Sequence, residues 1–196
     1  MNDEIRSPRR NLQVVRCASV FAAFLLITAV TLNVSGRVFW YQCGSWVPWS
    51  WDIWSQHNSQ HLIDPYFFTH ILHGIVLYGL LYWLWKSAPV SKRLLTAVLL
   101  EAGWEILENS SLIIDRYREV TISLDYYGDS IANSLFDIVA CALGFLLAAR
   151  VKPWQSVIFF LAIELLLLLT IRDCLMLNVV MLVYPLDAIK QWQMAS

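Results

Sequence analysis

All four histidines of the chain, His57, His61, His70 and His73, fall within one seventeen-residue stretch. Imidazole carries protons and ligates metals near neutral pH, so this stretch marks where chemistry would be done. His57 and His61 are spaced i, i+4, and His70 and His73 i, i+3. Further along, Glu101, Glu105 and Glu108 stand at i, i+4 and i+7, and Asp129, Asn133 and Asp137 at i, i+4 and i+8. On a helix each series occupies one face. Acids and imidazoles on shared faces are the ingredients of general acid–base catalysis, of proton relays and of divalent-metal binding. The expected reacting groups are therefore His70, His73, Glu105, Glu108 and Asp137, with His73 the first choice among the histidines.

The elements that must position these groups are apolar. The chain is 58% hydrophobic with a mean hydropathy of +0.55, the composition of a polytopic membrane protein. A net charge of −1, without a basic run beyond the N-terminal tail, excludes nucleic acid as a partner; the partner is the lipid bilayer. The sequence predicts an all-α transmembrane bundle forming one domain over 1–196, with a basic cytoplasmic tail at 1–16. Spans are expected at 17–35, 67–85, 94–114, 131–149 and 154–171, each near the ~20 residues a bilayer requires. The stretch 174–186 is either a short sixth span or an interfacial helix. The first apolar run is longer than a signal-peptide core and no A-x-A-like site follows, so it reads as an uncleaved span.

Basic residues set the orientation. Arg6, Arg9, Arg10, Arg16, Lys86, Lys92, Arg93, Arg150 and Lys152 would all face the cytoplasm; Arg37, Arg116, Arg118 and Arg172 fall opposite, with Lys190. This predicts a multi-pass membrane protein with a cytoplasmic N-terminus. The outer loop at about 36–66 holds Trp40, Tyr41, Trp46, Trp49, Trp51 and Trp54. It reads either as a loop lying flat at the headgroups or as an aromatic lid over a site. The cysteines show no metal-ligand spacing, and Cys43 and Cys174 form a conceivable outer-side disulfide.

Depth supplies a second test. At 1.5 Å per residue from the expected span ends, His73, Glu108 and Asp137 each lie ~9 Å inside the outer boundary. Three helices thus bring polar faces to one level. Loops opening on the same side add Asp64, Arg116, Arg118, Asp125 and Asp129, which with Asn133 form the expected substrate-binding set. Glu164, a lone acid in the fifth span, is given no catalytic role.

The segments SQHLIDPYFFTHILHG (59–74), EAGWEILENSSLIIDRYR (101–118), SLDYYGDSIANSLFDIVACALGFLLA (123–148) and IRDCLMLNVVMLVYPLDAIKQWQ (171–193) resemble a family of uncharacterised bacterial inner-membrane proteins, a domain of unknown function. More distantly, the layout is similar to VanZ-like membrane proteins. These pair an acid-and-histidine helix start (Asp64, His70), a helix bearing a glutamate (Glu105 or Glu108) and a D-x-x-x-N helix (Asp129, Asn133, then Gly144). The long Trp-rich loop and extra histidines depart from that pattern.

Three functions compete. The first is an enzyme on a lipid or lipid-linked envelope substrate. One version uses a divalent metal held by His57 and His61 or by His70 and His73, with carboxylate oxygens; a metal-free version uses His73 as acid or base and Arg116 or Arg118 to hold a phosphate. H-x-x-x-H spacing without H-E-x-x-H is a weak metal signature. The second is a small proton-coupled transporter, and the third a non-catalytic assembly or scaffold protein whose polar network fixes helix packing.

Overall fold

The computed structural model describes residues 6–41, 46–121 and 126–195. Eight helices follow one another in it: α1 (Arg6–Val34), α2 (Pro65–Leu84), α3 (Val90–Glu108), α4 (Ser111–Val120), α5 (Ile131–Ala148), α6 (Pro153–Ile171), α7 (Leu175–Val183) and α8 (Asp187–Met194). Among the described residues there is no strand, only an isolated bridge between Trp49 and Ile63. The fold is all-helical. Among the described residues four segments are long and apolar enough to cross a membrane: Asn11–Val34, Pro65–Leu84, Ile131–Ala148 and Pro153–Ile171.

Helix starts are fixed by local chemistry. Asp64 accepts a hydrogen bond from the Phe67 amide at 2.9 Å and Pro65 opens α2 in a position that needs no donor. Ser130 Oγ accepts from the Asn133 amide at 3.1 Å to start α5. Within the bundle α5 is the axle: 67% of its apolar window is buried inside the protein, against 33% for α2 and 22% for α6. Its contact with α2 is backbone to backbone. A Cβ on Gly74 would overlap the Cys141 carbonyl and come within 2.6 Å of the Phe145 amide, and one on Gly144 would overlap the Ile71 carbonyl. Small residues permit this approach, as in other membrane helix pairs.

Two boundaries differ from expectation. The expected span 94–114 is α3 only to Glu108. Asn109 turns its side-chain amide onto the Glu105 carbonyl at 3.0 Å and onto Asp129 Oδ2 at 2.9 Å, so the chain leaves the helix there and restarts as the amphipathic α4. The stretch 174–186 contains the nine-residue α7, ~13 Å long, which is too short to cross a bilayer. Glu164 explains where α7 begins. Its two carboxylate oxygens accept the Leu175 and Met176 amides at 2.9 and 3.0 Å, so a buried acid of α6 caps α7. Because Glu164 lies seven residues before the end of α6, α7 starts well inside the bundle. The chain then returns through α8, whose Gln193 donates to the Arg172 carbonyl at 2.9 Å.

Candidate functional site

In the half of the bundle nearer the 36–64 loop, α2, α3 and α5 bring their polar faces together. Glu101 is the centre. One of its carboxylate oxygens, Oε1, lies 2.6 Å from His70 Nδ1 and 2.9 Å from His73 Nδ1. His70 is enclosed further by Glu105 Oε1, 3.4 Å from Nδ1, and Asp137 Oδ2, 3.9 Å from Nε2. Both Glu105 oxygens and Asp137 Oδ1 are buried without a hydrogen-bond partner.

A second layer sits above. Asp129 accepts from the Tyr126 hydroxyl at 2.8 Å and from Asn109 Nδ2 at 2.9 Å, while its own amide donates to Asn109 Oδ1 at 2.7 Å. Burial raises its pKa, offset by those two side-chain donors. Tyr117 and Tyr126 are pushed well above the usual tyrosine value by burial and by nearby acids, chiefly Glu108 and Asp129 respectively, so both stay protonated donors. Asn133 donates to the His61 carbonyl at 2.7 Å. Asp64, 1% exposed, has its pKa raised to about 7 by burial, against the Phe67 hydrogen bond that lowers it.

A cavity of about 290 Å³ opens against these groups. Its polar wall carries His70, His73, Glu108, Asp129, Asn133 and Asp137; Leu175, Asn178, Val179 and Leu182, at i, i+3, i+4 and i+7, make α7 the opposing, largely apolar wall. Among the described residues no lysine or arginine lines it. On the far side of Glu101 comes an apolar layer: Ala97 and Val98 on the next turn of α3, with Leu81, Ile138 and Phe145, are buried in apolar clusters.

Several expected residues arrive in new roles. His70, not His73, faces Asp137 and Glu105, and His73 pairs with Glu101, which the sequence leaves outside the reacting set. The cause is the early end of α3. Counting from Glu108 rather than 114 raises its acids by six residues, ~9 Å, and sets Glu101 level with the histidines. Arg116 donates to the Leu182 carbonyl at 3.2 and 3.3 Å, tying α4 to α7, and Arg118 braces the Tyr126 carbonyl and lies 3.7 Å from Asp115. Neither is among the residues lining the cavity. His57 Nδ1 lies 2.9 Å from His61 Nε2, and His61 Nδ1 2.6 Å from the Val47 carbonyl. The loop pair is thus engaged with itself and the backbone, outside the two groups of His and carboxylate ligand atoms that converge among the described residues, His70–His73–Glu101 and His70–Glu105–Glu108.

The loop reaches the cavity through Asn58 and Ser59, while Trp46, Trp49, Trp51 and Trp54 are exposed. Asp125 and Cys43 lie outside the described residues; Cys174 is a buried free thiol, its pKa pushed up to about 12 by burial. The sequence reading missed Asn109, Tyr117, Tyr126 and Asn178. Asn109 continues the Glu101 ladder at i+8, and Asn178 is the lone polar residue of α7; both signals were present.

The class is a helical membrane-type protein with a buried acid–histidine cavity. The chain matches the family of proteins of unknown function DUF2585 over residues 32–195, and it belongs to that family. It is 45% identical over 191 residues to the UPF0314 protein of Sinorhizobium fredii, covering 97% of this chain and 95% of that one. The UPF0314 protein of Agrobacterium fabrum is 48% identical over 181 residues, 92% and 91% of the two chains. That of Paracoccus denitrificans is 47% identical over 182 residues, 92% and 94%. No solved structure matches.

Proposed function

We propose that this chain is an integral protein of the bacterial inner membrane, N-terminus in the cytoplasm, and an enzyme acting on a lipid or lipid-linked envelope substrate in the outer half of the bilayer. The single observation that carries the reading is the cavity's two-sidedness. One wall presents the His70–Glu101–His73 cluster with Asp137; the other is the apolar face of α7. An amphiphile fits such a space, its polar head on the acids and imidazoles and its chain against Leu175, Val179 and Leu182. Orientation rests on the basic residues, nine of which fall on the side of the N-terminus. The VanZ-like layout belongs to the same proposal, since Asp64, His70, Asp129 and Asn133 all sit at or beside the cavity and Gly144 holds α5 against α2.

In this reading Glu101 orients both imidazoles by accepting their Nδ1–H groups, and the Nε2 of His73 is left to take or give a proton at the substrate. His73, 22% exposed at its side chain, is the better placed of the two to meet a substrate from the cavity. The apolar layer beyond Glu101 weighs against a proton-coupled conduit through the bundle. A scaffold role draws support from the Asn109–Asp129–Tyr126 network, whose members satisfy one another.

The test is complementation in the source bacterium deleted for the gene, followed by envelope-lipid profiling. Wild type and the exposed-loop variant Arg150→Gln should restore the parental profile, and His73→Gln and Asp137→Asn, present at wild-type abundance, should not. Full restoration by both site variants would overturn the enzymatic reading and leave the scaffold.

A further inference from the structure

The carboxylates around His70 outnumber the groups that can neutralise them. Glu101, Glu105 and Asp137 each come within 4 Å of a His70 nitrogen, Glu108 and Asp129 line the adjoining cavity, and among the described residues no arginine or lysine lines it. Glu101 has two imidazoles and Asp129 has Tyr126 and Asn109, but Glu105, 0% exposed, has both oxygens without a partner, and Asp137, 3% exposed, has one. A buried acceptor left unpaired costs about 1–3 kcal/mol, and more when ionised. Two such groups facing one histidine mark a place where something positive belongs.

The histidine is set up to be a ligand. Glu101 accepts the His70 Nδ1–H, which leaves the Nε2 lone pair pointing toward Asp137. A carboxylate fixing one ring nitrogen while the other binds metal is the usual outer-shell arrangement for a metal-bound histidine. The 3.9 Å between Nε2 and Asp137 Oδ2 is too long for a hydrogen bond, yet an ion bonded to both at roughly 2.0–2.2 Å fits between them. Glu105 and Glu108 add oxygens that lie within 4.8 Å of a His70 nitrogen and of each other.

We propose that His70, Glu105, Glu108 and Asp137 bind one first-row divalent cation, Zn²⁺ or Mn²⁺, with Glu101 positioning His70. One imidazole among carboxylate oxygens suits these ions better than Mg²⁺ or Ca²⁺, which take oxygen ligands throughout. The ion would supply the positive charge toward a phosphate-bearing head that Arg116 and Arg118, engaged with the Leu182 and Tyr126 carbonyls, do not. That last consequence rests on the proposed substrate; the metal site itself does not.

The experiment is elemental analysis of the full-length protein in detergent or nanodiscs, loaded with Zn²⁺ or Mn²⁺ and dialysed. About one equivalent per chain is expected, falling at least tenfold in Glu105→Gln and Asp137→Asn. Co²⁺ loading provides a check that does not depend on one variant's folding: the visible spectrum of the bound ion should change in His70→Gln and stay as wild type in His57→Gln. A wild-type protein that retains less than a tenth of an equivalent overturns the proposal. So does an ion that survives Glu105→Gln and Asp137→Asn but is lost in His57→Gln. Metal-free protein with a lipid phenotype that still depends on His73 would sink the metal site alone. A metal-binding protein whose site variants restore the lipid profile would sink the substrate reading alone.

Discussion

Asp64 offers the most quantitative test of the cavity's electrostatics. Its carboxyl caps α2 and is 1% exposed, with Asp129 near enough to add repulsion. Burial raises its pKa from 3.8 to about 7. Between these values the folded protein holds a proton that the unfolded chain has released, so stability is fullest below pH 3.8 and declines as pH rises through 7. The whole difference corresponds to about 4 kcal/mol, of which about 3 kcal/mol falls between pH 5 and pH 8. Asp64→Asn keeps an oxygen for the Phe67 amide and removes the titration. Any cost of seating the amide is independent of pH, so the slope isolates the effect. Thermal melts of the detergent-solubilised protein should show the gap between variant and wild type shifting in the variant's favour by roughly 5–11 °C from pH 5 to pH 8, at about 2–4 °C per kcal/mol. Asp173, raised to about 6 by burial, contributes the same-signed slope to both proteins and cancels in the comparison. Parallel pH curves for variant and wild type would refute the claim that Asp64 is held protonated.

Four further outcomes follow from the same geometry. Gly144→Ala should destabilise the bundle by at least the ~1–3 kcal/mol of an overpacked core, since its Cβ meets backbone rather than a movable side chain; melting temperature and detergent gel filtration report it. Glu164→Ala leaves two amides of α7 uncapped and should cost roughly 2–4 kcal/mol, with early hydrogen exchange confined to 175–183, whereas Glu164→Gln should lose about half as much. Asn109→Leu removes the donor to Asp129 and the acceptor for its amide, and should lower stability by about 2–4 kcal/mol, measured by melting. Arg118→Gln should leave the lipid profile of complemented cells unchanged, because its guanidinium braces the Tyr126 carbonyl outside the cavity; a profile matching that of His73→Gln would contradict that assignment.

Much of the fold was legible because bilayer-length apolar runs announce themselves: α2, α5 and α6 lie within two residues of the spans expected from hydrophobicity. The shared faces of Glu101–Glu105–Glu108 and Asp129–Asn133–Asp137 were equally plain from helical spacing. What the sequence hid was register between helices. Asn109 ends α3 through hydrogen bonds to its own turn and to Asp129, twenty residues away, and such a tertiary stop has no local signature. Moving that end by six residues exchanged the partners of His70 and His73 and made Glu101 the hub. The backbone partners of Arg116 and Arg118, the Leu182 and Tyr126 carbonyls, were equally beyond what composition can show. Glu164 was a lone acid until the amides of α7 supplied its partners.

The central claim is that a lipid-like molecule occupies the space between the acid–histidine wall and α7. A photoreactive residue in place of Val179, which lines the cavity, tests it in intact cells against the same residue at Leu165 on the exposed face of α6. After irradiation and purification, mass spectrometry should find one discrete lipid or lipid-linked adduct at 179 and only a mixture reflecting bulk membrane lipid at 165. Identical bulk-lipid mixtures at both positions would contradict the account.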